Sequence, residues 1–304
     1  MRVVSLLPSA TEVCYALGVE PVAVSHECDY PPEARDRPSV NRSRVANAGS
    51  SEAVNQQVAS AVAADGVYEL DPDRLREADP DLVLAQGVCD VCAIDGTLAR
   101  EALEAVDLDA DVVELHAHSL SGVFDEIRQV GDVLGRDEAA DDLVASLQAR
   151  VDAVERTAAD ADERPRVAVL DWMTPVMVAG HWVPELVALA GGRYGLADPG
   201  DRSTPREWAE IRAYDPEVLV VAPCGFELDR VVEHAAEVSG RDGWSELAAV
   251  ESGRVFAMDG HHYVNRPGPR LVETLEFLAG VIHPERFAAP PESAVQRLPG
   301  EQSV

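Results

Sequence analysis

Two stretches of this chain, residues 3–115 and 167–281, each alternate apolar runs of strand length with amphipathic helical segments. That alternation constrains the fold more than any single motif, because a strand feeding a helix feeding a strand builds a parallel sheet with covered faces. In the first stretch, residues 3–7, 22–25, 82–85 and 112–115 are predicted strands; 11–17, 52–63, 73–78 and 98–105 are predicted helices, with Ser9 or Thr11 as the N-cap of the first. In the second, strands are expected at 167–170, 176–178, 218–222 and 255–258, and helices at 183–190, 205–214, 227–238 and 269–281. Both stretches contain the same phrase, Asp79-Pro80-Asp81-Leu82-Val83 and Asp215-Pro216-Glu217-Val218-Leu219, in which proline ends a helix just before an apolar strand.

The segment between them has helical spacing, with Leu143, Leu147, Val151 and Val154 on one face after the break at Gly135. Such a helix is long enough to join two lobes side by side. The expected fold class is therefore α/β. Two Rossmann-like lobes, 1–118 and 164–288, are joined by a helical connector, 119–163, and followed by a flexible tail, 289–304.

Charge narrows the function. Acidic residues number 55 against 25 basic ones, all of the latter arginine, giving a net charge of −30. Such a surface repels nucleic-acid phosphates and anionic bilayers, so neither is an expected partner. A lysine-free acidic surface suits a salt-rich, halophilic solvent, where a Debye length of roughly 3 Å at molar salt quenches self-repulsion. Five sparse cysteines do not make a disulfide scaffold. With no apolar run of spanning length and no basic-then-apolar leader, the sequence as it stands points to a soluble monomer in the cytoplasm; a misassigned start would instead permit an outward, membrane-facing location.

Several local motifs occur in a telling order: Ser5-Leu6-Leu7-Pro8-Ser9-Ala10-Thr11-Glu12 at the start, then Asp29-Tyr30-Pro31-Pro32, Pro80-Asp81-Leu82-Val83, Gly191-Gly192, Trp208 with Asp215-Pro216, and Arg266-Pro267-Gly268-Pro269-Arg270. Together with the two-lobe pattern they resemble the helical-backbone substrate-binding proteins of ABC importers, which take up cobalamin and ferric siderophores, and the opening is most similar to the cobalamin-binding branch. The resemblance implies non-enzymatic capture of a corrinoid such as cobalamin in the inter-lobe cleft, by loops at the carboxyl ends of the strands. On that resemblance Pro8 and Ser9, Gln86 with the loop carrying Cys89 and Cys92, Trp172 and Met173, His181 and Trp182, and Asp259, His262 and Tyr263 are the ligand-binding candidates. It also implies docking to ABC permease subunits through an acid on each lobe, Asp73 on the first and Glu207 or Glu210 on the second.

Three alternatives stay open. Cys89-x-x-Cys92 with His261 has the donor types of a tetrahedral metal site, but a lone CxxC is half a site and equally suits pocket lining. Arg193, Arg202 and Arg266 would suit an anionic ferric siderophore, or the cleft would take haem. A metal-dependent cofactor-salvage enzyme would use Cys89, Cys92, His261 and His262. GxSxG, Walker A, GxGxxG and HExxH motifs are all missing, so no catalytic residue or catalytic cofactor is expected. Cys14, in the first helix, is expected to be buried and inert.

Overall fold

The structure is a computed structural model and describes residues 1–46, 49–64, 66–88 and 94–299. Its first lobe runs β1 (Val3–Ser5), α1 (Pro8–Ala16), β2 (Ala23–Val24), β3 (Asn41–Ser43), α2 (Ser51–Val62), β4 (Tyr68–Leu70), α3 (Pro72–Ala78), β5 (Leu82–Gln86), α4 (Gly96–Ala105) and β6 (Asp111–Leu115). Helices α5 (Leu120–Leu134) and α6 (Asp137–Ala159) follow. The second lobe contains β7 (Val167–Trp172), β8 (Met177–Val178), α7 (Val183–Leu189), β9 (Thr204–Pro205), α8 (Trp208–Tyr214) and β10 (Val218–Val221). It continues through α9 (Leu228–Glu233), α10 (Ala236–Ser239), α11 (Ala248–Glu251), β11 (Val255–Met258), α12 (Leu271–Ile282) and β12 (Val295–Arg297).

The first sheet has the order β2-β1-β5-β6, all parallel. The second has the order β12-β11-β10-β7-β8-β9, with β11, β10 and β7 parallel and the other pairings antiparallel. A separate antiparallel pair, β3 with β4, which the apolar pattern does not reveal, has α2 between its strands. The central strands are buried on both faces, as continuous apolar runs require.

The repeated Asp-Pro phrase has one structural meaning in both lobes. Asp79 and Asp215 end α3 and α8 in the left-handed conformation, with φ of 44° and 47°. Arg2 and Arg166, each just before the first strand of its lobe, donate to the helix-end carbonyls there: Ala78 and Asp79 in one lobe, Tyr214 and Asp215 in the other. Cation, carbonyl end and acid thus lock strand to helix in the same way twice.

The connector is two helices, because Gly135 takes φ 63° and reverses the chain. The 23 residues of α6 bury Ala140, Val144, Leu147, Val151 and Val154, so Val144 is buried where Leu143 was expected. These side chains join one core that includes Val3, Leu7 and Leu82 of the first lobe and Val167, Val169 and Leu275 of the second. Arg150 on α6 clamps Glu276 on α12 at 2.9 and 2.7 Å. A continuous core and this clamp make the joint stiff.

Three expectations need correction. Helix α1 begins at Pro8, with Leu7 as a cap that makes no side-chain bond; proline preorganises the first turn, so Ser9 and Thr11 lie inside the helix. Residues 227–238 are not one helix: the first ends at Glu233, capped by His234, and a second, Ala236–Ser239, follows the N-cap Ala235. The tail is not free: Val295–Arg297 pairs antiparallel with β11, and Ala294, Val295 and Leu298 are buried. Cys14 is fully buried, and burial pushes its thiol up to about 12.

Candidate ligand site between the lobes

Strands β1 and β2 of the first lobe and β11 of the second all release their carboxyl ends toward the other lobe. Ligands of parallel α/β sheets sit at such ends. After β11 the chain enters a single π-helical turn, Gly260–Val264, a rare conformation frequent at functional sites. Asp259 builds this turn, its Oδ1 accepting from the His262 N–H at 2.6 Å and its Oδ2 lying 2.8 Å from His262 Nδ1. Gly260 is required because a Cβ there would stand 2.2 Å from the Pro223 carbonyl oxygen and 2.6 Å from that of Ala222. Asn265 Nδ2 ties the turn to the Ala222 and Gly260 carbonyls, and Trp182 Nε1 donates to the Val264 carbonyl at 2.8 Å.

The turn faces Asp29, on the loop after β2. Asp29 Oδ2 lies 3.0 Å from His262 Nε2 and 3.3 Å from His261 Nε2. Arg266 donates to both Asp29 oxygens, at 2.5 and 3.2 Å, and its Nη2 is 2.9 Å from His261 Nε2. Behind this layer Arg270 grips Glu12 of α1 through two bonds, 2.6 and 3.1 Å. Glu12, Arg266 and Arg270 are all buried, so the two lobes meet through a paired, low-dielectric charge network. Burial works to raise the Asp29 carboxyl, but the bonds from His261, His262 and Arg266 overcome it and hold Asp29 well below the usual carboxylate range. The bonds to Asp259 and Asp29 push His262 up to about 9.

Aromatic groups flank the network. Tyr30 is 43% exposed and lies under the Arg270 guanidinium, 4.0 Å from ring centre to Cζ; Tyr263 is 5.2 Å from the same group. Trp172, at the end of β7, is half-buried, meets Phe226 edge-on, and also packs against the Val45, Val54 and Val67 cluster of the first lobe.

The residues singled out from the sequence divide by position. His261, His262 and Tyr263 are on the inter-lobe turn itself. Asp259 is 4% exposed with both oxygens engaged, so it shapes the turn from beneath. Pro8 and buried Ser9 open α1, close to Gly268 of the Arg266–Arg270 loop. Gln86 is half-buried at the end of β5. His181, at φ 52°, stacks on His118 across the lobes with the Nδ1 atoms 3.0 Å apart; burial and the His118 charge lower it. Met173 is fully buried in the second-lobe core and Trp182 is 6% exposed, so packing takes up the surfaces that were expected to meet ligand. Cys89 and Cys92 lie outside the described residues.

Asp73 and Glu207 occupy the first turn of α3 and the N-cap of α8, the helices that end in the two equivalent Asp-Pro phrases. Asp73 pairs with Arg76 on the open surface. The sequence motifs already contained Asp29, Tyr30, Arg266 and Arg270, and Glu12 stands in the opening phrase. Nothing local says that they meet, since Asp29 and Arg266 are separated by 237 positions.

Among the described residues no helix is long and apolar enough to cross a membrane. A substrate-binding lipoprotein of an ABC transporter from Bacillus subtilis, YvrC, is 27% identical over 297 residues, covering 94% of this chain and 81% of that protein. The vitamin B12-binding protein of Vibrio cholerae is 24% identical over 283 residues, covering 90% and 86%. The crystal structure of a periplasmic heme-binding protein from Pseudomonas aeruginosa superposes with a TM-score of 0.70 at 19% identity, covering 95% of each chain. The family model described as "Periplasmic binding protein" matches residues 3–261. Its span and the two-lobed architecture agree: the chain belongs to the periplasmic binding protein family.

Proposed function

We propose that this protein is the substrate-binding component of an ABC importer and holds a corrinoid, cobalamin or a close relative, between its lobes. One observation carries the reading. The strand-end loops of the two lobes face each other, and they bear the aromatic rings that neither core fully absorbs, Tyr30, Trp172 and Tyr263. Rings of that kind stack on a flat macrocycle, while His262 and Gln86 supply polar contacts to its amide rim. Relatives named as vitamin B12-binding proteins support the ligand class. The lipoprotein designation of the Bacillus relative supports a position outside the membrane, with Asp73 and Glu207 as the acids that meet permease arginines. Haem is the second reading, favoured by the paired imidazoles His261 and His262, since imidazole ligates haem iron.

The test is titration with cyano-, hydroxo- and adenosylcobalamin in molar KCl, read by heat and by visible spectrum, with haem and a ferric siderophore run in parallel. Stoichiometric corrinoid binding is expected, weakened about tenfold in Trp172→Ala, or roughly 1.4 kcal/mol. No response to any corrinoid overturns the reading, and binding of haem alone moves the assignment to the second.

A further inference from the structure

The inter-lobe network brings together three atoms of metal-ligating type. Asp29 Oδ2, His261 Nε2 and His262 Nε2 come from two loops on opposite lobes, and one donor atom from each of the three residues lies within 4.8 Å of the others. The contacts show which nitrogen of each ring faces this point. A carboxylate only accepts, so His262 donates from Nδ1 to Asp259 at 2.8 Å and from Nε2 to Asp29 at 3.0 Å; a metal ion would replace the Nε2 proton and leave the Nδ1–H bond to Asp259 in place. The His261 Nε2 lies between Arg266 Nη2, at 2.9 Å, and Asp29 Oδ2, at 3.3 Å.

The spacing also has a chemical meaning. Bonds of about 2.0–2.1 Å at tetrahedral angles place neighbouring donor atoms roughly 3.3 Å apart. Asp29 Oδ2 stands 3.0 Å from one imidazole nitrogen and 3.3 Å from the other. The Asp259–His262 pair reproduces the carboxylate–histidine arrangement that orients metal-bound imidazoles. Charge is favourable as well. Three carboxylates, Glu12, Asp29 and Asp259, face two guanidiniums, Arg266 and Arg270, and the His262 imidazole, so a metal ion would enter by taking the place of the proton on His262 Nε2. Arg266 now stands beside the two donors, and its Nη1 is already 3.5 Å from Glu12, which gives it a second carboxylate when a cation takes Asp29.

We propose that Asp29, His261 and His262 form a site for a divalent transition-metal ion of the zinc or cobalt(II) class, with Asp259 as the positioning residue that aims His262. Two imidazoles and one carboxylate suit such borderline ions better than calcium or magnesium, and they leave a coordination position open to water or to an incoming ligand. The site differs from the thiol set expected from the sequence, because its third donor is the carboxylate of Asp29. Because the proposed function gives the same imidazoles a part in corrinoid or haem binding, titration of the metal-free protein with each macrocycle separates the two questions.

The experiment uses the full chain, stripped with chelator and titrated with Co²⁺ in molar KCl. One ion per chain is expected, with intense d–d bands of a low-coordinate ion and no thiolate charge-transfer band. Asp29→Asn and His262→Ala should each weaken binding by well over tenfold, Asp259→Asn by about 10–100-fold. Arg266→Gln should tighten it, since the competing cation is gone; a merely structural network predicts no such gain. Cu²⁺ electron paramagnetic resonance on the unsubstituted protein counts imidazole nitrogens without relying on any variant, and two are expected. Failure to bind Co²⁺ stoichiometrically, a spectrum without two imidazoles, binding indifferent to Asp29→Asn, or binding abolished only by Cys89→Ser with Cys92→Ser would each overturn the proposal.

Discussion

The Glu12–Arg270 pair is the sharpest place to perturb the joint between the lobes. Glu12→Gln keeps the volume and one carbonyl-type acceptor but removes the charge. The side chains are only 2% and 8% exposed, so Arg270 is left as a buried cation facing a neutral amide. Breaking a buried pair costs about 3–5 kcal/mol. Against this, the remaining acceptor retains about 1 kcal/mol. The Tyr30 ring, 4.0 Å from the guanidinium, continues to stabilise it. The expected loss is therefore about 2–3 kcal/mol. Urea unfolding in 1 and 3 M KCl measures it as a fall in midpoint at constant slope. A cycle through Arg270→Gln and the double variant should give a coupling of about 2 kcal/mol. The loss should be the same at both salt concentrations, because the pair is sheltered, whereas breaking the exposed Arg42–Glu69 pair should leave the midpoint where it was at either salt. A loss below about 1 kcal/mol, or a coupling near zero, would refute the claim that this pair holds the lobes together.

Other sites give independent checks. Asp171 is buried with Oδ1 unpartnered, and burial pushes its carboxyl from the ordinary 3.8 up to about 6, with the Ser203 bond acting the other way. The folded state then holds the proton longer than the unfolded chain does. Its stabilisation is complete below pH 3.8 and is lost as pH rises to about 6, a total of ~3 kcal/mol. Asp171→Asn should abolish that portion of the pH dependence, seen as urea midpoints that diverge from the parent between pH 4 and 6.5; parallel curves would contradict it. Gly260→Ala forces a Cβ onto two backbone carbonyls, so a loss of about 3 kcal/mol in thermal or urea unfolding is expected, together with loss of the Co²⁺ spectrum. Parental stability with an intact spectrum would show that the turn is not constrained as described.

Much of the architecture was legible because its causes are local. The central strands β5, β7, β10 and β11 stand where continuous apolar runs stood, and α3 and α8 end at the Asp-Pro phrases for the same steric reason in both lobes. The misses have causes that are not local. Strand β12 is three residues with one buried side chain, too short to show a period, and it forms because β11 offers an open edge. Trp182 and Met173 flank strand ends, yet burial decides between ligand contact and packing, and burial is a property of the assembled lobe. The site shows the division most clearly. Sequence alone determined that Asp29-Tyr30 and the arginines of the Arg266–Arg270 loop sit on loops after apolar runs, since strand length and proline placement act over a few residues. That Asp29 meets Arg266 and both histidines, that Glu12 meets Arg270, and that Asp259 serves His262 while His262 faces the other lobe were decided by docking two separately patterned lobes on a stiff joint. Contacts across some 240 positions arise from the whole packed core, and no local pattern of residues encodes them.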